Sequence, residues 1–505
     1  MEVLNQTGSW QQMTATAFVL YCISLVVYRL FFHPLARFPG PKLAAVTLWY
    51  EAYYDVVQNG QYTFKIAKLH KQYGPIIRIS PRELHVSDPE FFDKIYRQDG
   101  KWDKYAWAVD AFVCKGGTLF TSDHALHKAR RQPLNPFFSK AKIAGRQDLL
   151  QKHLRKLLGQ ISSFAEQQKA VDLGAAMHAY TRDVANELIL EKDCNSLCKP
   201  NFDFDATIAP GPIWRVTKHM PWYNRILRSF PIGLVTKIAG EGVKSFYLHL
   251  GETVLALQHL MSTSSGSSGE ASDNIVRAIL ASKLPPSEKT FVRVFEDLST
   301  IMGAGIETTA SALRLILFHL YSDANMLERL RAELASVDNI DITDTDSIPQ
   351  LRALEQLPFL TAVLMEGLRL SPAVATRMAR VAPDRDIFYN EWRIPAGIPV
   401  GMTIILMHMD ESIYPEPQQF NPDRWMDPET RKGLEKHFVP FSRGTRNCVG
   451  MHLAWAELYL VVSTLIRRFD FRFEGVIAED LRCSSDQFII GTKSGGHLRA
   501  VGSAR

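Results

Sequence analysis

The sequence predicts a mainly α-helical protein with small β-sheets, preceded by one N-terminal transmembrane helix. Long segments with apolar residues at helical spacing predict the helical body, and the strand-like runs between them are short. A nearly uncharged apolar run close to the N-terminus predicts the membrane helix. Together these observations favour a membrane-anchored protein with one large helical domain.

The N-terminal anchor is predicted over residues 13–32. This run contains a single charged residue, Arg29, and about 20 residues at 1.5 Å each reach across a hydrocarbon core of about 30 Å. No basic segment precedes it and no small-residue cleavage site follows it, so we expect a retained anchor rather than a signal peptide. Arg37 and Lys42 follow the run whereas Glu2 precedes it, so the positive-inside rule places residues 1–12 in the lumen.

Two short features flank the anchor. Asn5 opens an Asn-Gln-Thr sequon, which predicts a glycosylation site on the lumenal side. Residues 33–42 contain Pro39-Gly40-Pro41, which predicts a stiff, non-helical hinge. Charged and apolar residues are evenly mixed from residue 43 to residue 505, so we expect this part to form a single cytosolic domain.

The predicted elements of this domain are mostly helices. Helical periodicity covers Lys140–Glu166, Thr181–Glu191, Lys244–Met261, Phe291–Tyr321, Asn325–Ser336, Phe359–Leu370 and Val449–Arg467. Strands are predicted at Ile76–Ser80, Glu83–Val86, Asp386–Tyr389 and Val400–Ile405.

Composition excludes two classes of protein. The chain carries 58 Lys and Arg against 53 Asp and Glu, and a net charge of +5 over 505 residues gives no basis for a nucleic-acid binder. Six cysteines in a chain of this length do not form a disulfide scaffold. The cysteines therefore need another explanation, and one of them has a distinctive neighbourhood.

Cys448 lies in the segment Phe-Ser-Arg-Gly-Thr-Arg-Asn-Cys-Val-Gly, directly before a long helical pattern. The N-terminus of a helix favours a thiolate, and glycines at positions 444 and 450 let the backbone approach a bulky planar group. Phe441 is placed to shield the sulfur, and Arg446 offers a fork for a carboxylate. A single thiolate without neighbouring ligands cannot form a zinc site, but it can serve as the axial ligand of haem iron.

This segment resembles the haem-binding signature Phe-x-x-Gly-x-Arg-x-Cys-x-Gly of the cytochrome P450 family, and every fixed position is matched. The resemblance implies haem b (iron protoporphyrin IX) with Cys448 as its axial ligand. It also implies that the residues of the same segment hold the cofactor: Phe441, Gly444, Arg446 and Gly450.

A second match lies within the predicted helix Phe291–Tyr321. Each interior glycine costs about 1 kcal/mol relative to alanine, so Gly303 and Gly305 need a reason, which is either close helix packing or room beside the cofactor. The segment Gly-Ala-Gly-Ile-Glu-Thr-Thr resembles the oxygen-activating motif of the family. By that resemblance Glu307 and Thr308 are the catalytic residues that deliver protons during oxygen activation.

Three further matches occur in the expected order. Glu366 and Arg369 share one helix face, and with Arg424 they resemble the family's structural Glu-x-x-Arg pair and its partner arginine. His127 and Arg131, four residues apart, resemble the helix that binds a haem propionate, although the family more often has Trp at the first position. Arg380 matches another propionate partner.

The resemblance covers nearly the whole chain and implies an endoplasmic reticulum membrane protein with one span and a cytosolic catalytic domain. It implies a monooxygenase that inserts one atom of O2 into a hydrophobic terpenoid, polyketide or alkaloid intermediate of fungal secondary metabolism. Because no dinucleotide fingerprint follows a strand, NADPH-derived electrons must come from a separate reductase, with cytochrome b5 as an additional donor. A non-oxygenating isomerase or dehydratase of the same fold, or a haem sensor without turnover, is the alternative.

The substrate pocket is assigned by resemblance to mostly apolar segments, which suit a hydrophobic substrate. Arg377 is the polar exception and is expected either to anchor an oxygen of the substrate or to be a haem-side or surface arginine. The residues assigned to the pocket are Phe112, Ile301, Gly305, Thr309, Val374, Arg377 and Ile489.

Overall fold

The structure is a computed structural model. It describes residues 2–505 except 113, 207–210, 232, 234–236, 238–240, 265–273 and 337–347.

Helices form most of the described chain. The longer ones are Glu2–Val27, Tyr62–Tyr73, Gln147–Glu166, Leu173–Leu190, Glu241–Ser264, Phe291–Ser322, Ala324–Ala335, Pro358–Leu370 and Met451–Arg468. The shorter ones are Lys42–Val46, Trp49–Ala52, Phe92–Ile95, Ala106–Val109, His124–Arg131, Lys140–Ala144, Gly211–His219, Pro221–Ser229, Ile275–Ala281, Leu351–Leu354, Ile404–His408, Pro428–Glu435 and Ala478–Leu481. Tyr28–Phe32 and Tyr53–Val57 are π-helical turns.

The strands of the described chain form small sheets. One five-stranded sheet has the order Ile76–Arg78, Leu84–Val86, Val400–Gly401, Arg380–Val381 and Asp103–Lys104. A three-stranded sheet joins Ala170–Asp172, Arg499–Ala504 and Phe469–Phe473. Two hairpins pair Ile387–Tyr389 with Trp392–Ile394 and Ser485–Gln487 with Ile489–Gly491. Leu84–Val86 and Val400–Gly401 run parallel, and their neighbours in the sheet run antiparallel.

The core is built around the helix Phe291–Ser322, which we call the central helix. It packs against Leu173–Leu190 and against Met451–Arg468, which we call the cysteine helix because it follows Cys448. The helix Pro358–Leu370 also packs closely on the central helix, because a Cβ at Gly367 would lie 2.2 Å from Cγ1 of Ile316. The mainly helical fold with small sheets is therefore confirmed.

Several element boundaries differ from the predictions, and the helix predicted over Thr181–Glu191 begins much earlier, at Leu173. The helix predicted over Lys140–Glu166 is broken at residues 145 and 146, where Gly145 ends the first helix and Arg146 precedes the second. The strand predicted over Val400–Ile405 covers only Val400–Gly401, because a helix begins at Ile404. The cysteine helix begins at Met451 rather than Val449, since Gly450 is its N-cap.

The N-terminal segment Trp10–Phe32 is long and apolar enough to cross a membrane, and none of its apolar window is buried in the protein. The central helix passes the same test of length and composition, but 61% of its window is buried, so it is a core helix. The predicted hinge lies against the first sheet, where Arg78 N donates to Pro39 O at 2.7 Å. Gly40 has a φ of +148°, and a Cβ there would lie 2.4 Å from Arg78 O, so only glycine fits.

Candidate active site

The loop that carries Cys448 is held by its own backbone and by a neighbouring helix. The N–H of Cys448 donates to the carbonyl of Phe441 at 2.9 Å, which closes the loop. Gly444 has a φ of +75°, and a Cβ there would lie 2.5 Å from the carbonyl oxygen of Arg97. Only glycine therefore lets this loop approach the residues that follow the helix Phe92–Ile95. At Gly450 a Cβ would meet no protein atom within 4 Å, so packing within the protein does not explain that glycine.

The Cys448 thiol is accessible although Gly444 and Arg446, in the same loop, are buried. The protein groups around the sulfur displace much of its water and so raise the pKa of this thiol, while the Gly450 N–H and the nearby charge of Arg131 act in the opposite direction. The Gly450 N–H therefore acts in the direction expected of a helix terminus, but desolvation outweighs it. Coordination to a metal ion deprotonates a thiol, so the sulfur fits a ligand that is ionised by the iron itself.

Buried cationic side chains converge beside this loop. Arg446 donates to the carbonyls of Thr121 and Ser122 at 2.6 and 2.7 Å, and burial together with the charge of Arg380 lowers the pKa of Arg446 to about 9. Burial, followed by the charges of Arg446 and Lys104, lowers the pKa of His127 to about 2, so this imidazole is neutral.

The donors of this cluster fit an anionic group. Nη2 of Arg380 and Nε of Arg446 are buried without a hydrogen-bond partner, and among the described residues neither side chain forms an ion pair with a carboxylate. Unpaired buried cations are costly, and guanidinium groups bind carboxylates by matched hydrogen bonds. The cluster therefore fits the two propionates of haem, and we call it the propionate cluster: Lys104, His127, Arg131, Arg380 and Arg446.

Lys104 is the member that the sequence did not indicate. It is buried, and burial and the charges of Arg380 and Arg446 lower its pKa well below the ordinary value. Its strand, Asp103–Lys104, pairs with Arg380–Val381, which brings together two residues far apart in the chain. No local motif marks this lysine, so only the sheet pairing identifies it.

Arg131 contacts the cysteine loop directly. Its Nη1 donates to the carbonyl of Asn447 at 2.9 Å, and its Nε donates to Oδ1 of Asn135 at 2.6 Å. The guanidinium thus supports the residue next to Cys448 in addition to its place in the propionate cluster.

The central helix is accessible at one short stretch in its middle. Gly303 and Ala304 are exposed although the helix is largely buried after them. A Cβ at Gly303 would meet no atom within 4 Å, and one at Gly305 would meet only the Ala185 Cβ at 3.9 Å. Close packing therefore does not explain these glycines, which favours the alternative of room beside a cofactor.

The two predicted catalytic side chains have different partners. Thr308 Oγ1 donates to the carbonyl of Ala304 at 2.7 Å. Glu307 accepts from both Nη1 and Nη2 of Arg314 on the same helix, and His178 Nε2 lies 3.9 Å from its Oε2. Arg314 was not predicted, although a spacing of seven residues, two helical turns, places it on the face of Glu307.

The structural residues are brought together as predicted. Glu366 and Arg369 are fully buried, and Nε and Nη2 of Arg369 donate to both oxygens of Glu366 at 2.9 and 2.8 Å. Arg424 Nε donates to Glu366 Oε1 at 3.0 Å. The indole N–H of Trp425 donates to Oε2 at 2.9 Å, a further partner that the motif did not reveal.

An aromatic cluster stands at the predicted pocket, and we call it the aromatic wall: Phe112, Phe120, Trp214 and Phe488. The rings of Phe112 and Phe120 stack at 4.1 Å, and Phe488 lies 4.7 Å from Phe112 and 5.5 Å from Trp214. The wall joins three distant parts of the chain. Val374 and Ile489, both assigned to the pocket, form a β-bridge beside it.

Two pocket assignments are wrong in detail. Arg377 is buried and donates to Glu51 at 2.9 Å and to Glu83 at 2.7 Å, so it is neither a free substrate anchor nor a haem-side or surface arginine. The Thr309 hydroxyl bonds the buried carboxyl of Glu457 on the cysteine helix, so it faces the core. Ile301 is partly buried and packs against the main hydrophobic core.

The chain resembles proteins of known activity. A model of the cytochrome P450 family matches residues 45–498. Tryptophan 6-hydroxylase fscE of Fusarium equiseti is 38% identical, over 93% of this chain and 92% of that protein. N-acetyltryptophan 6-hydroxylase ivoC of Emericella nidulans is 37% identical over 94% of both chains. Conidiogenone synthase PchP450 of Penicillium rubens is 35% identical, over 95% of this chain and 97% of that protein.

Proposed function

Since the chain belongs to the cytochrome P450 family and is a haem-thiolate monooxygenase of the fungal secondary-metabolism type, we propose that it oxygenates a neutral, hydrophobic small molecule at a membrane surface. It uses O2 and NADPH-derived electrons, which a reductase supplies. The observation that carries the assignment of the site is the propionate cluster beside the accessible thiol of Cys448.

The cysteine loop and the propionate cluster would together hold the haem. Cys448 would provide the sulfur ligand of the iron, Arg380 and Arg446 would offer their unpaired donors to the propionates, and Lys104 would add a further buried nitrogen beside them. When bound, the haem supplies the activation of O2. Gly444 fixes the backbone of the loop that would face this group, and among the described residues Arg380 and Arg446 form no ion pair that would compete with the propionates.

Protons reach the site along the central helix. The Thr308 hydroxyl lies at the accessible stretch of that helix and is oriented by the Ala304 carbonyl. Glu307 accepts hydrogen bonds from Arg314 and lies next to Thr308 in the chain, so it is placed to accept a proton from solvent and pass it to that hydroxyl. Arg314 holds the carboxylate between transfers.

The aromatic wall favours an apolar substrate. Lys218, which lies over the Trp214 ring, is engaged with Glu51 and Asp55, and Arg377 is engaged with Glu51 and Glu83, so neither is free to bind a substrate carboxylate. Two of the relatives are named for tryptophan or N-acetyltryptophan, which carry a carboxylate. We infer a neutral terpenoid, polyketide or alkaloid skeleton for this chain instead.

Exposed apolar side chains support attachment to the endoplasmic reticulum membrane. Beyond Trp10–Phe32, two stripes at helical spacing are exposed, and they lie on elements that both contact the helix Gly211–His219. One stripe is Trp49, Tyr53 and Val57, and the other is Trp222, Ile226 and Phe230. Exposed apolar patches rimmed by polar groups are typical of membrane contacts. In this arrangement residues 1–12 are lumenal and residues 43–505 form the cytosolic domain, connected by the hinge at 33–42.

The electron donor would approach the face that carries the cysteine loop. Lys128 is exposed there, and Arg443 forms an exposed ion pair with Asp93 at 2.8 Å. Arg130, which also belongs to the basic sequence run, is buried against Glu288 and cannot steer a partner. If charges guide docking, reduction of the haem by the reductase slows as ionic strength rises.

Comparative metabolite profiling tests the function. The gene is deleted in its host, and the neutral intermediate that accumulates is incubated with the purified full-length protein, the reductase, NADPH and O2. We expect a product one oxygen atom heavier, and no product from the Cys448→Ala variant. Conversion without O2 and NADPH would instead support an isomerase or dehydratase, and spectral binding without conversion would support a sensor.

A further inference from the structure

A buried cluster of charged side chains lies behind the aromatic wall, and the reaction assigned above does not use it. Lys218 Nζ lies 2.8 Å from Oε1 of Glu51 and 2.5 Å from Oδ2 of Asp55. Arg377 joins Glu51 to Glu83. We call these residues the buried ion cluster: Glu51, Asp55, Glu83, Lys218 and Arg377, each no more than 8% exposed.

The cluster is not explained by stability alone. Desolvation of buried ions offsets most of their attraction, so apolar residues of similar volume would serve a core equally well. Glu51, Asp55 and His219 could also be read as metal ligands, because their ligand atoms lie within 4.8 Å of one another. The Lys218 ammonium, however, already lies between the two carboxylates and supplies the positive charge.

The position of Lys218 relative to two indole rings indicates its use. Its Nζ lies 4.3 Å from the ring centroid of Trp214 and 5.4 Å from that of Trp107. A desolvated ammonium over an indole face is among the stronger cation–π contacts. The Trp214 indole N–H also donates to the carbonyl of Ala108 at 3.1 Å, so the ring is held at its edge and at its face.

Trp214 is the part of the aromatic wall that this contact fixes. Its ring lies 5.8 Å from Phe112 and 5.5 Å from Phe488, and both phenylalanines are partly exposed while Trp214 is buried behind them. Phe488 adopts a φ of +72° at the tip of its hairpin, which is unusual for an aromatic residue and shows that its orientation is imposed by its surroundings.

We propose that Lys218 is a positioning residue for substrate selection: held by Glu51 and Asp55, it fixes the ring of Trp214 and thereby the aromatic wall, which accepts a flat apolar portion of the substrate. This inference rests on the proposed function, because the wall is taken as part of the substrate pocket. The cations of the cluster act through the wall and do not touch the substrate.

The test compares two ligands of the haem iron in the purified full-length holoenzyme. Imidazole is the smaller ligand, whereas phenylimidazole adds a flat apolar ring of the kind that the wall is proposed to accept, and both are titrated by the shift of the Soret band. For Lys218→Met we expect the Kd of phenylimidazole to rise about five- to tenfold, the scale of a lost desolvated cation–π contact. The Kd of imidazole should change less than about twofold, and Lys218→Arg should restore part of the loss.

Two variants keep the outcome decisive. Lys152→Met is the matched control, because Lys152 also bridges two carboxylates, Glu187 and Asp193, but does so at the surface, and we expect no change for either ligand. If Lys218→Met loses haem, the double variant Lys218→Met with Asp55→Asn, which removes one charge of each sign, is tested instead. It should show the same rise in the Kd of phenylimidazole with little change in the Kd of imidazole.

Equal weakening of both ligands, no weakening of either, or loss of haem in both Lys218 variants would overturn the proposal. The monooxygenase assay reports separately on the proposed function. Failure to convert any neutral intermediate, combined with the selective loss of phenylimidazole binding, would contradict the proposed substrate and leave the role of Lys218 standing.

Discussion

Thr308 and Ala304 are joined by a hydrogen bond of 2.7 Å in the middle of the central helix, with the Thr308 hydroxyl as donor and the Ala304 carbonyl as acceptor. A side-chain donor on that carbonyl competes with the helical ladder and locally loosens the helix. Because Gly303 and Gly305 add no Cβ to the same turn, the hydroxyl lies at an accessible and adaptable part of an otherwise packed helix.

Thr308→Ala is expected to uncouple the enzyme. Without the hydroxyl, protons are delivered poorly, so NADPH is still consumed while peroxide replaces product. Removing a positioned proton donor typically costs about 100-fold or more in the step that it serves. Product and peroxide formed per NADPH are measured with purified reductase.

Thr309→Ala is the matched control, because Thr309 is the next residue on the same helix but its hydroxyl bonds Glu457 in the core. It should leave the coupling ratio unchanged and lower stability by about 1–3 kcal/mol, the usual cost of a buried group that loses its partner. Full coupling in Thr308→Ala would refute the role in proton delivery.

Glu366→Gln is expected to destabilise the chain strongly. The two carboxylate oxygens accept from Arg369, Arg424, Trp425 and the Asn421 N–H, and an amide cannot accept all of these bonds. Breaking a buried ion pair from one side costs about 3–5 kcal/mol. Urea unfolding of the full-length protein in detergent measures this loss.

Glu90→Gln provides the comparison for Glu366. Glu90 also pairs with a cation, Lys436, but both side chains are more than half exposed. Exposed pairs contribute about 0–1 kcal/mol, so this variant should unfold close to the parent protein. Similar losses in the two variants would contradict the structural role of Glu366.

Some of the residues that sequence patterns identified have their partners within one motif. Glu366 and Arg369 are three residues apart on one helix, and Cys448 is fixed by Phe441 seven positions earlier, so local spacing carries the information. Arg314, at seven residues from Glu307, belongs to the same category and could have been predicted from helical periodicity.

The residues that sequence patterns missed or assigned wrongly have partners elsewhere in the chain. Arg377 was assigned to the substrate pocket because the sequence does not reveal its partners. These are the carboxylates of Glu51 and Glu83, which lie 326 and 294 residues away in the chain. Lys104 joins the propionate cluster only through the pairing of two short strands. Such partners follow from tertiary packing, which a single sequence does not reveal.

Arg380→Met is expected to have opposite effects on the haem-free and haem-bound protein. Without haem, Arg380 repels Arg446 and disfavours the charged forms of His127 and Lys104, so its removal relieves the cluster and the apoprotein becomes no less stable. With haem, a charge-assisted hydrogen bond is lost, which we expect to speed haem dissociation about tenfold or more.

Haem transfer to an excess of apomyoglobin measures this rate for Arg380→Met, and urea unfolding measures the stability of the apoprotein. Arg393→Met is the control, since Arg393 is an exposed arginine paired with Asp386 on a hairpin. Unchanged haem dissociation in Arg380→Met would remove this residue from the propionate cluster.

Glu457→Gln is expected to stabilise the protein at neutral pH. Burial raises the pKa of Glu457 well above its ordinary 4.5, so the native protein keeps this carboxyl protonated while the unfolded chain ionises it. The native state therefore binds more protons, and stability falls by about 1.4 kcal/mol per pH unit as pH rises between the unfolded and native pKa values. Glutamine resembles the protonated acid and removes this dependence.

Urea unfolding at pH 5 and pH 7.5 should show nearly equal stability of parent and variant at the lower pH and a more stable variant at the higher pH. Glu435→Gln, an exposed control paired with Arg431, should follow the parent at both values. A parent stability that rises with pH relative to Glu457→Gln would show that the native protein holds Glu457 ionised.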